Sequence, residues 1–183
     1  MLIQEYKRSW IQDFNAISKV LNESLIHLKV AIEHVGSTAI PELAAKPIID
    51  IDIVFGKQVA FEDIKKILDK IGYYHNGNQG IPNREVFKRG KTAAHHGILD
   101  AIEHHLYVCR ADSVELENHI LLRDYLIAHE EARMQYQHLK FELAAEANQD
   151  RKKYAQLKEV RARHFINTIV EKAKNAYSIS LCP

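Results

Sequence analysis

The sequence predicts an α+β fold, with a small mixed β-sheet over residues 1–110 and a helical part over residues 111–175. Two observations predict it: apolar residues recur every three or four positions at both ends of the chain, and short β-branched runs lie between. Gly and Pro make only 7 and 4 of the 183 residues, which disfavours disorder and turn-rich all-β folds. We expect a single domain, residues 1–183, because this length suits one hydrophobic core.

The first part of the chain predicts a helix, two strands and a second helix. Apolar side chains spaced three or four apart predict an amphipathic helix over residues 4–28, and a short strand follows over residues 31–35. The β-branched run over residues 48–55 predicts the clearest strand of the chain. A second amphipathic helix is predicted over residues 61–71, with Gly72 as its C-terminal cap.

The middle of the chain predicts three more strands, and the remainder predicts helices. A turn is expected over residues 76–83, where Gly and Asn are frequent. Asp112 or Ser113 can cap the first of the later helices. The other strands and helices of this part are predicted at residues 73–75, 85–89, 102–109, 136–143 and 150–170.

Charge and composition exclude several classes of protein. With 25 Lys and Arg against 24 Asp and Glu, the chain is not expected to bind bulk DNA through its overall charge. No apolar stretch approaches the ~18 residues of a membrane span, and no signal-peptide core is present, so we expect a cytoplasmic protein without a membrane partner. Cys109 and Cys182 cannot by themselves form a disulfide framework or a structural zinc site.

Two aspartates in an otherwise apolar strand are the most informative feature of the sequence. Residues two apart in a strand point to the same face, so Asp50 and Asp52 lie side by side while isoleucines fill the opposite face. Two neighbouring carboxylates repel each other, and their desolvation is costly unless a cation compensates them. Mg²⁺ is the natural cation, and such a site suits phosphoryl or nucleotidyl transfer. The alternative is that both aspartates lie on a solvated face.

A Gly-Ser turn upstream favours the metal-site interpretation. Gly36 and Ser37 end the preceding predicted strand and come a short loop before Asp50. Glycine permits close approach of the backbone to a phosphate, and Ser37 can donate its hydroxyl. Taken alone, Gly-Ser is a plain strand-ending turn. Together with the aspartates, it points to phosphate chemistry.

This combination resembles the signature of the polymerase-β-like nucleotidyltransferase superfamily: a strand, Gly-Ser, a spacer, and a strand with alternating aspartates. The longer segment over residues 34–52, HVGSTAIPELAAKPIIDID, is similar to the GrpB-like proteins, of UPF0157 type. Residues 84–89, 105–108 and 122–126 resemble further segments of that family. The resemblance extends over about residues 6–169 and implies a nucleotidyltransferase fold.

The resemblance implies a metal-dependent nucleotidyltransferase that moves a nucleoside monophosphate from a nucleoside triphosphate to an acceptor. It implies that Asp50 and Asp52 are catalytic and bind Mg²⁺ (or Mn²⁺), with Gly36 and Ser37 near the triphosphate. Whether the acceptor is a small molecule, RNA or a protein stays open. Kinase chemistry is not expected, because the chain lacks a Gly-x-x-x-x-Gly-Lys-Ser/Thr phosphate loop.

The sequence departs from these patterns at three positions. The superfamily usually has a third carboxylate on a later strand, where this chain has His105 and Tyr107 on one face. A histidine can act as a general base, so His105 is a catalytic candidate. Tyr107 and Glu42 stand where the family tends to have histidine and glycine. The alternative function is therefore a nucleotide-binding or regulatory module of the same fold whose catalysis is weak or lost.

Most of the eleven histidines are expected to have no functional role. Adjacent histidines on a strand point to opposite faces and cannot chelate one metal ion, so we expect no dedicated histidine metal site. His34 and His105 are functional candidates because they match family positions. Six others are expected to be surface or structural residues: His27, His75, His119, His129, His138 and His164.

Basic residues cluster over residues 84–91 and residues 151–163, with net charges of +3 and +5. Such clusters are either solvated faces or positions that neutralise a triphosphate or an anionic acceptor. The phosphate-binding candidates, most of them at family-like positions, are Lys46, Arg84, Lys88, Arg123, Lys140 and Lys158.

Overall fold

The computed structural model describes residues 1–91 and 93–180, so Cys182 lies outside the described residues. The strands are β1 (Val30–Val35), β2 (Ile49–Phe55), β3 (Tyr73–His75), β4 (Arg84–Arg89) and β5 (His104–Arg110). The α-helices are α1 (Ser9–Ser24), α2 (Phe61–Lys70), α3 (Val114–Ala128), α4 (Glu130–Glu146), α5 (Arg151–Leu157) and α6 (Arg163–Ser180). This order of elements confirms the predicted α+β fold.

The strands form one mixed sheet in the order β1–β2–β5–β4–β3. β2 lies between an antiparallel neighbour, β1, and a parallel neighbour, β5. β4 pairs antiparallel with β5, and β3 pairs antiparallel with β4 at the edge. Helices flank the sheet and make up the chain after β5, as predicted. Within the described residues, no helix is both long and apolar enough to span a membrane.

The first helix is shorter than the predicted span of residues 4–28. α1 begins only at Ser9, because the chain before it is extended and pairs with the loop that precedes β2. The amide of Gln4 donates to the carbonyl of Ala45 over 2.9 Å, and the amide of Ala45 donates to the carbonyl of Gln4 over 2.8 Å. This pairing is long-range, so helical periodicity could not reveal it.

The structure confirms two helix caps. Ser113, rather than Asp112, caps α3, because its Oγ accepts a hydrogen bond from the amide of Leu116 over 3.1 Å. Gly72 follows α2 with φ of 87°, and its amide donates to the carbonyl of Asp69 over 2.9 Å. Both caps lie where the sequence offered a residue suited to the task.

The last predicted helix, residues 150–170, consists of two α-helices joined by a π turn. Asp150 caps α5, because its Oδ1 accepts a hydrogen bond from the amide of Lys153 over 2.6 Å. The π turn spans Lys158–Ala162, and α6 continues from there to Ser180. Such a turn inserts an extra residue into the helix, and insertions of this kind are frequent at functional sites.

The apolar face of the sheet forms a core with α1 and α2. The β2 side chains of Ile49, Ile51 and Ile53 are at most 1% exposed and belong to one cluster with Leu21 of α1 and Leu68 of α2. Burying each isoleucine contributes roughly 1.5–3 kcal/mol relative to leaving it in water. A second core lies among α4, α5 and α6. The other face of β2 is left to the two aspartates, under α3.

Glu42 has an unusual backbone conformation, with φ of 65°. This left-handed region favours glycine, the residue that the family resemblance leads one to expect here. The Glu42 carboxylate accepts a hydrogen bond from Nη2 of Arg133 over 2.8 Å. Arg133 is only 8% exposed and also donates to the carbonyls of Leu126 and Ile127 at the end of α3. The ion pair is thus formed from a strained backbone position.

Two substitutions separate the strain at Glu42 from its ion pair. Glu42→Ala and Glu42→Gly both remove the carboxylate, but only glycine relieves the strain at positive φ. We expect E42G to be more stable than E42A by about 1 kcal/mol in the free energy of unfolding, measured in urea. At an unstrained position, the glycine variant would be the less stable of the two proteins. If E42G is no more stable than E42A, the backbone at residue 42 is not strained.

Candidate active site

The two aspartates lie on the polar face of β2, beside β5. In the parallel register, Asp50 pairs with His105 and Asp52 pairs with Tyr107. Nδ1 of His105 is 2.8 Å from Oδ1 of Asp50, and about half of the His105 side chain (53%) is exposed. The predicted side-by-side arrangement is therefore present, and the histidine on the neighbouring strand contacts the first aspartate.

Asp52 is completely buried and is held by a histidine from α3. Its Oδ2 lies 2.8 Å from Nδ1 of His119, and Nε2 of His119 lies 3.3 Å from Oε1 of Glu115. Glu115 and His119 share one face of α3, because they are four residues apart. The other carboxylate oxygen of Asp52, Oδ1, is buried without a hydrogen-bond partner.

His119 was expected to be a surface or structural residue; it is partly buried, contacts Asp52 and lines the larger cavity. Burial lowers its pKa, but the hydrogen bonds that the imidazole donates to Asp52 and Glu115 outweigh burial and raise the pKa of His119 to about 9. The imidazole is therefore charged at neutral pH and compensates the buried carboxylate. The Glu-x-x-x-His spacing on a helix was the only sequence signal, and it is common on solvated helices.

The Gly-Ser turn packs directly against Asp50. Gly36 has φ of 71° and ψ of −171°, a combination that is essentially limited to glycine. A Cβ at this position would clash with Oδ2 of Asp50 and lie 3.0 Å from its Cβ and Cγ. Ser37 follows and begins a short 3₁₀ turn, Ser37–Ala39. The sequence predicted that this glycine lets the backbone approach a phosphate. In the structure, it lets the backbone approach the carboxylate of Asp50.

A cavity of about 730 Å³ opens between the polar face of the sheet and the helices. This volume is within the usual range for sites of small ligands and cofactors. The predicted site residues that line it are Gly36, Ser37, Lys46, Asp50, Arg84, Arg123 and Lys158. Polar residues that the sequence did not single out also line it: Glu115, Asn118, His119, Glu159, Arg163 and Asn167.

A second cavity of about 230 Å³ adjoins the first. The two cavities share Ser37, Lys46, Asp50, Tyr107 and Lys158 in their walls. His105 and Lys140 line only the smaller one. The predicted candidates therefore converge on one region around Asp50, whereas Asp52 lies behind the walls of both cavities.

Three cations line the larger cavity. Arg84 stacks over the Tyr107 ring, 4.8 Å from its centroid, and its Nε is buried without a hydrogen-bond partner. Lys46 lies over the Tyr154 ring, 4.9 Å from its centroid. The neighbouring phenols, Tyr136 first, together with Asp50 raise the pKa of Lys158 above its usual value. These groups can neutralise an anionic ligand.

Arg123 also borders the larger cavity, but its guanidinium is already engaged. Its Nη1 donates to Glu33 over 2.8 Å and to the carbonyl of His34 over 2.9 Å, and its Nε donates to Asp124 over 2.7 Å. Arg123 therefore fixes α3 to β1. Any contact with a ligand must come from the remaining part of the guanidinium.

Two predicted phosphate-binding lysines are placed differently from the others. Lys88 is exposed on β4 and lines neither cavity. Lys140 is only 1% exposed, and its Nζ donates to the carbonyl of Ala44. Burial lowers the pKa of Lys140 well below its usual value. It faces the smaller cavity as a buried amine rather than as a free surface charge.

The other functional histidine candidate, His34, has a packing role. Its Nε2 is 3.1 Å from Oγ1 of Thr38, and its ring stacks on Phe14 with 4.5 Å between centroids. Burial lowers the pKa of His34 to about 4, so the ring is neutral at pH 7. It lines neither cavity.

Residues 151–163 do not form one free basic surface. Arg151 pairs with Glu103 through two hydrogen bonds of 3.1 Å, and Arg161 and Arg163 pair with Glu146 and Glu159. Pairing with Glu103 and Glu146, which lie outside the segment, offsets two of its five net positive charges. Lys158 is its contribution to both cavities.

Asp50 and Asp52 are the donor set that this site offers to a divalent cation. Asp50 and Asp52 offer carboxylate oxygens, the ligands that Mg²⁺ prefers, and the unpartnered Oδ1 of Asp52 is a buried atom that needs a cation or a donor. No group of three or more His, Cys, Asp or Glu residues suited to a metal is found within residues 1–91 and 93–180. The residues therefore fit a cation that takes its remaining ligands from water or substrate.

We expect His34 and His119 to titrate on opposite sides of neutrality, near pH 4 and pH 9, in NMR spectra of the imidazole nitrogens. A histidine with a raised pKa stabilises the fold below its unfolded pKa, and this stabilisation is lost as the pH rises through its folded pKa. When the pH rises from about 7 to 9.5, the unfolding free energy of both proteins changes. It should fall by on the order of 2 kcal/mol more in wild type than in His119→Asn, which lacks the titrating imidazole. Titration of His119 near its ordinary pKa would contradict this expectation.

Gly36→Ala and Gly77→Ala separate backbone strain from the clash with Asp50. Both glycines have φ near 70°, but a Cβ at Gly77 meets no atom within 4 Å. We expect G77A to cost about 1–2 kcal/mol of unfolding free energy from strain. G36A should cost at least ~1 kcal/mol more, because Asp50 must move. Equal losses in thermal or urea unfolding would show that the turn and the carboxylate are not packed together.

Residues 1–172 match the model of the GrpB protein family. The chain is 32% identical over 169 residues to UPF0157 protein YqkA of Bacillus subtilis (strain 168), which covers 92% of this chain and 46% of YqkA. It thus spans about half the length of that relative. It is 30% identical over 177 residues to glutamate-rich protein GrpB of Alkalihalophilus pseudofirmus, covering 93% of this chain and 94% of that protein.

Solved structures show the same fold. Conserved protein GrpB from Enterococcus faecalis superposes with a TM-score of 0.76 at 27% identity, over 96% of this chain and 98% of that chain. Cid1 poly(U) polymerase bound to MgATP superposes with a TM-score of 0.56 at 13% identity, over 80% of this chain and 45% of that chain. The second likeness shows a nucleotidyltransferase-like fold. By the family model and by these relatives, the chain belongs to the GrpB family.

Proposed function

We propose that this protein is a metal-dependent nucleotidyltransferase, which moves a nucleoside monophosphate from a nucleoside triphosphate to an acceptor. One observation carries the proposal: Asp50 and Asp52 share the polar face of a central strand, and Asp50 packs against a Gly-Ser turn at the wall of a large cavity. The nucleotidyltransferase-like fold supports it, and Cid1 structures hold MgATP or the UTP analogue UMPNPP.

Asp50 and Asp52 would hold Mg²⁺ (or Mn²⁺). The unpartnered Oδ1 of Asp52 supports this assignment, because a buried carboxylate oxygen without a donor is costly unless a ligand completes it. A cation bound there would neutralise phosphate charge and lower the pKa of a bound hydroxyl. His105 lies over Asp50 and is exposed enough to move aside when a cation binds.

The cavity wall supplies the groups for a triphosphate. Lys46, Arg84 and Lys158 border the same space as Asp50, and the unpartnered Nε of Arg84 is a free donor for a phosphate oxygen. Gly36 and Ser37 bring the backbone to this region. Fixed cations on the far side of a reacting phosphate stabilise the charge that develops during transfer.

His105 is the candidate general base for the acceptor hydroxyl. It lies on β5, where the superfamily places a third carboxylate, and borders the smaller cavity. Its hydrogen bond to Asp50 places its ring beside the proposed metal ligands. The acceptor itself is left open among a small molecule, RNA and a protein.

The second candidate function is a nucleotide-binding or regulatory module without turnover. Tyr107, rather than a carboxylate, pairs with Asp52 on β5, and the third acidic side chain near the site, Glu115, contacts His119 instead. Such a module would keep the cationic cavity and lose the chemistry. It would be stabilised by a nucleotide without releasing pyrophosphate.

We expect at least one of ATP, GTP, CTP and UTP to bind with Mg²⁺ to the full chain, measured by calorimetry. Removing one charge-assisted contact in Arg84→Ala should weaken binding about 10- to 100-fold, from a loss of ~1.5–3 kcal/mol. Lys88→Ala, on the same strand but outside both cavities, is the matched control and should bind as wild type does. Equal effects of R84A and K88A would contradict the placement of the triphosphate.

Asp50→Asn and Asp52→Asn test the metal and the chemistry. We expect both variants to lose the Mg²⁺-dependent part of nucleotide binding. Pyrophosphate release by wild type, screened with a pool of metabolites and RNA, distinguishes the enzyme from the binding module. If wild type and both variants bind every nucleotide equally with and without Mg²⁺, the metal assignment is wrong.

A further inference from the structure

Asp52 is fixed by a chain of two hydrogen bonds that ends on α3. Nδ1 of His119 lies 2.8 Å from Oδ2 of Asp52, and Nε2 of His119 lies 3.3 Å from Oε1 of Glu115. Both ring nitrogens therefore have a carboxylate partner, so the ring can neither flip nor rotate without breaking a contact. His119 and Glu115, the positioning pair, are anchored on one helix face.

The two aspartates differ in how firmly they are held. His105, the partner of Asp50, is about half exposed, and its described hydrogen bond goes to Asp50 alone. The side chain of His119 is only 23% exposed and has two partners. Asp50 can therefore exchange its partner for a ligand, whereas Asp52 keeps one oxygen engaged.

We propose that the positioning pair of His119 and Glu115 holds Asp52 in one orientation and occupies its Oδ2, so that Oδ1 alone is available to a divalent cation. The inference rests on the proposed metal site and assigns roles that the site residues predicted from sequence did not include. His119 and Glu115 act through Asp52, so they are positioning residues and not metal ligands.

The unpartnered oxygen carries the inference. Oδ1 of Asp52 is buried and has no hydrogen-bond partner, although Oδ2 of the same carboxylate is bonded. A fold that only had to neutralise Asp52 would gain by satisfying both oxygens. Holding Oδ2 also prevents Asp52 from binding a cation through both oxygens. One-oxygen ligation suits the near-ideal octahedral geometry of Mg²⁺, and the octahedral oxygen sites that Mn²⁺ shares with it, better than the flexible, often two-oxygen ligation of Ca²⁺.

The test is Mn²⁺ and Ca²⁺ binding to the full chain without nucleotide, by calorimetry and by the electron paramagnetic resonance signal of free Mn²⁺. Groups that orient a metal ligand typically contribute 10- to 100-fold in affinity, so His119→Ala should weaken Mn²⁺ binding about 10- to 100-fold. The preference for Mn²⁺ over Ca²⁺ should fall with it, because Asp52 is then free to offer both oxygens. A role in folding alone would leave this preference unchanged.

Conservative variants refine the test. In His119→Asn, the amide nitrogen can take the place of Nδ1, so Mn²⁺ affinity should stay within a few-fold of wild type, apart from the lost link to Glu115. Glu115→Gln should weaken Mn²⁺ binding, to a smaller degree than H119A. Glu117→Gln is the matched control, because Glu117 lies on the same helix but pairs with Lys174 over 2.7 Å. It should bind Mn²⁺ as wild type does.

Two results would overturn the inference. One is a folded H119A protein that binds Mn²⁺ as tightly as wild type, or more tightly, which would make His119 a counter-charge that competes with the cation. The other is equal binding by E115Q and E117Q, which also decides the matter if H119A does not fold. Failure of the metal site itself has a separate signature: wild type and Asp52→Asn would then bind Mn²⁺ equally.

Discussion

The alternation of side chains along β2 is the constraint on which the rest of the structure depends. Its isoleucines are buried between the sheet and the helices α1 and α2, so the register of this central strand cannot slip by one residue without moving the aspartates into the core. The apolar face therefore determines where the acidic face lies. β1 and β5, paired on either side, bring the Gly36 turn and His105 to that face.

Burying Asp52 creates a charge that the fold must compensate. The compensation comes from His119, a cation of the protein itself, and Glu115 keeps that cation in place. The buried charge of Asp52 on β2 thus requires a partner from α3, and the contact between Asp52 and His119 links the two elements. Asp50, at the cavity wall, lies within hydrogen-bond distance of a histidine that solvent reaches. The difference between a fixed and an exchangeable partner is what a binding site for a cation and a substrate requires.

The order of elements and the placement of Asp50 and Asp52 on one face of β2 could be predicted because they depend on local periodicity. The extended segment at Gln4 could not, because its partner, Ala45, is distant in sequence. His119 was missed for a similar reason: its spacing to Glu115 is ordinary, and only the packing of α3 on β2 brings it to Asp52. Charge counting overstated residues 151–163, since their three arginines pair with acidic residues, and two of those partners, Glu103 and Glu146, lie outside the segment.

The π turn at Lys158–Ala162 has a consequence for how the cavity wall is built. Each residue of an α-helix advances the side chain by about 100° around the axis, so one inserted residue changes the angular phase of everything beyond it. Tyr154 before the turn and Ile169 after it belong to the same core, while Lys158, Arg163 and Asn167 reach the larger cavity. The identity of α6 residues matters less than their phase. Deleting Val160, a residue of the turn that lines neither cavity, would leave every cavity side chain in the sequence and turn a different set toward the cavity.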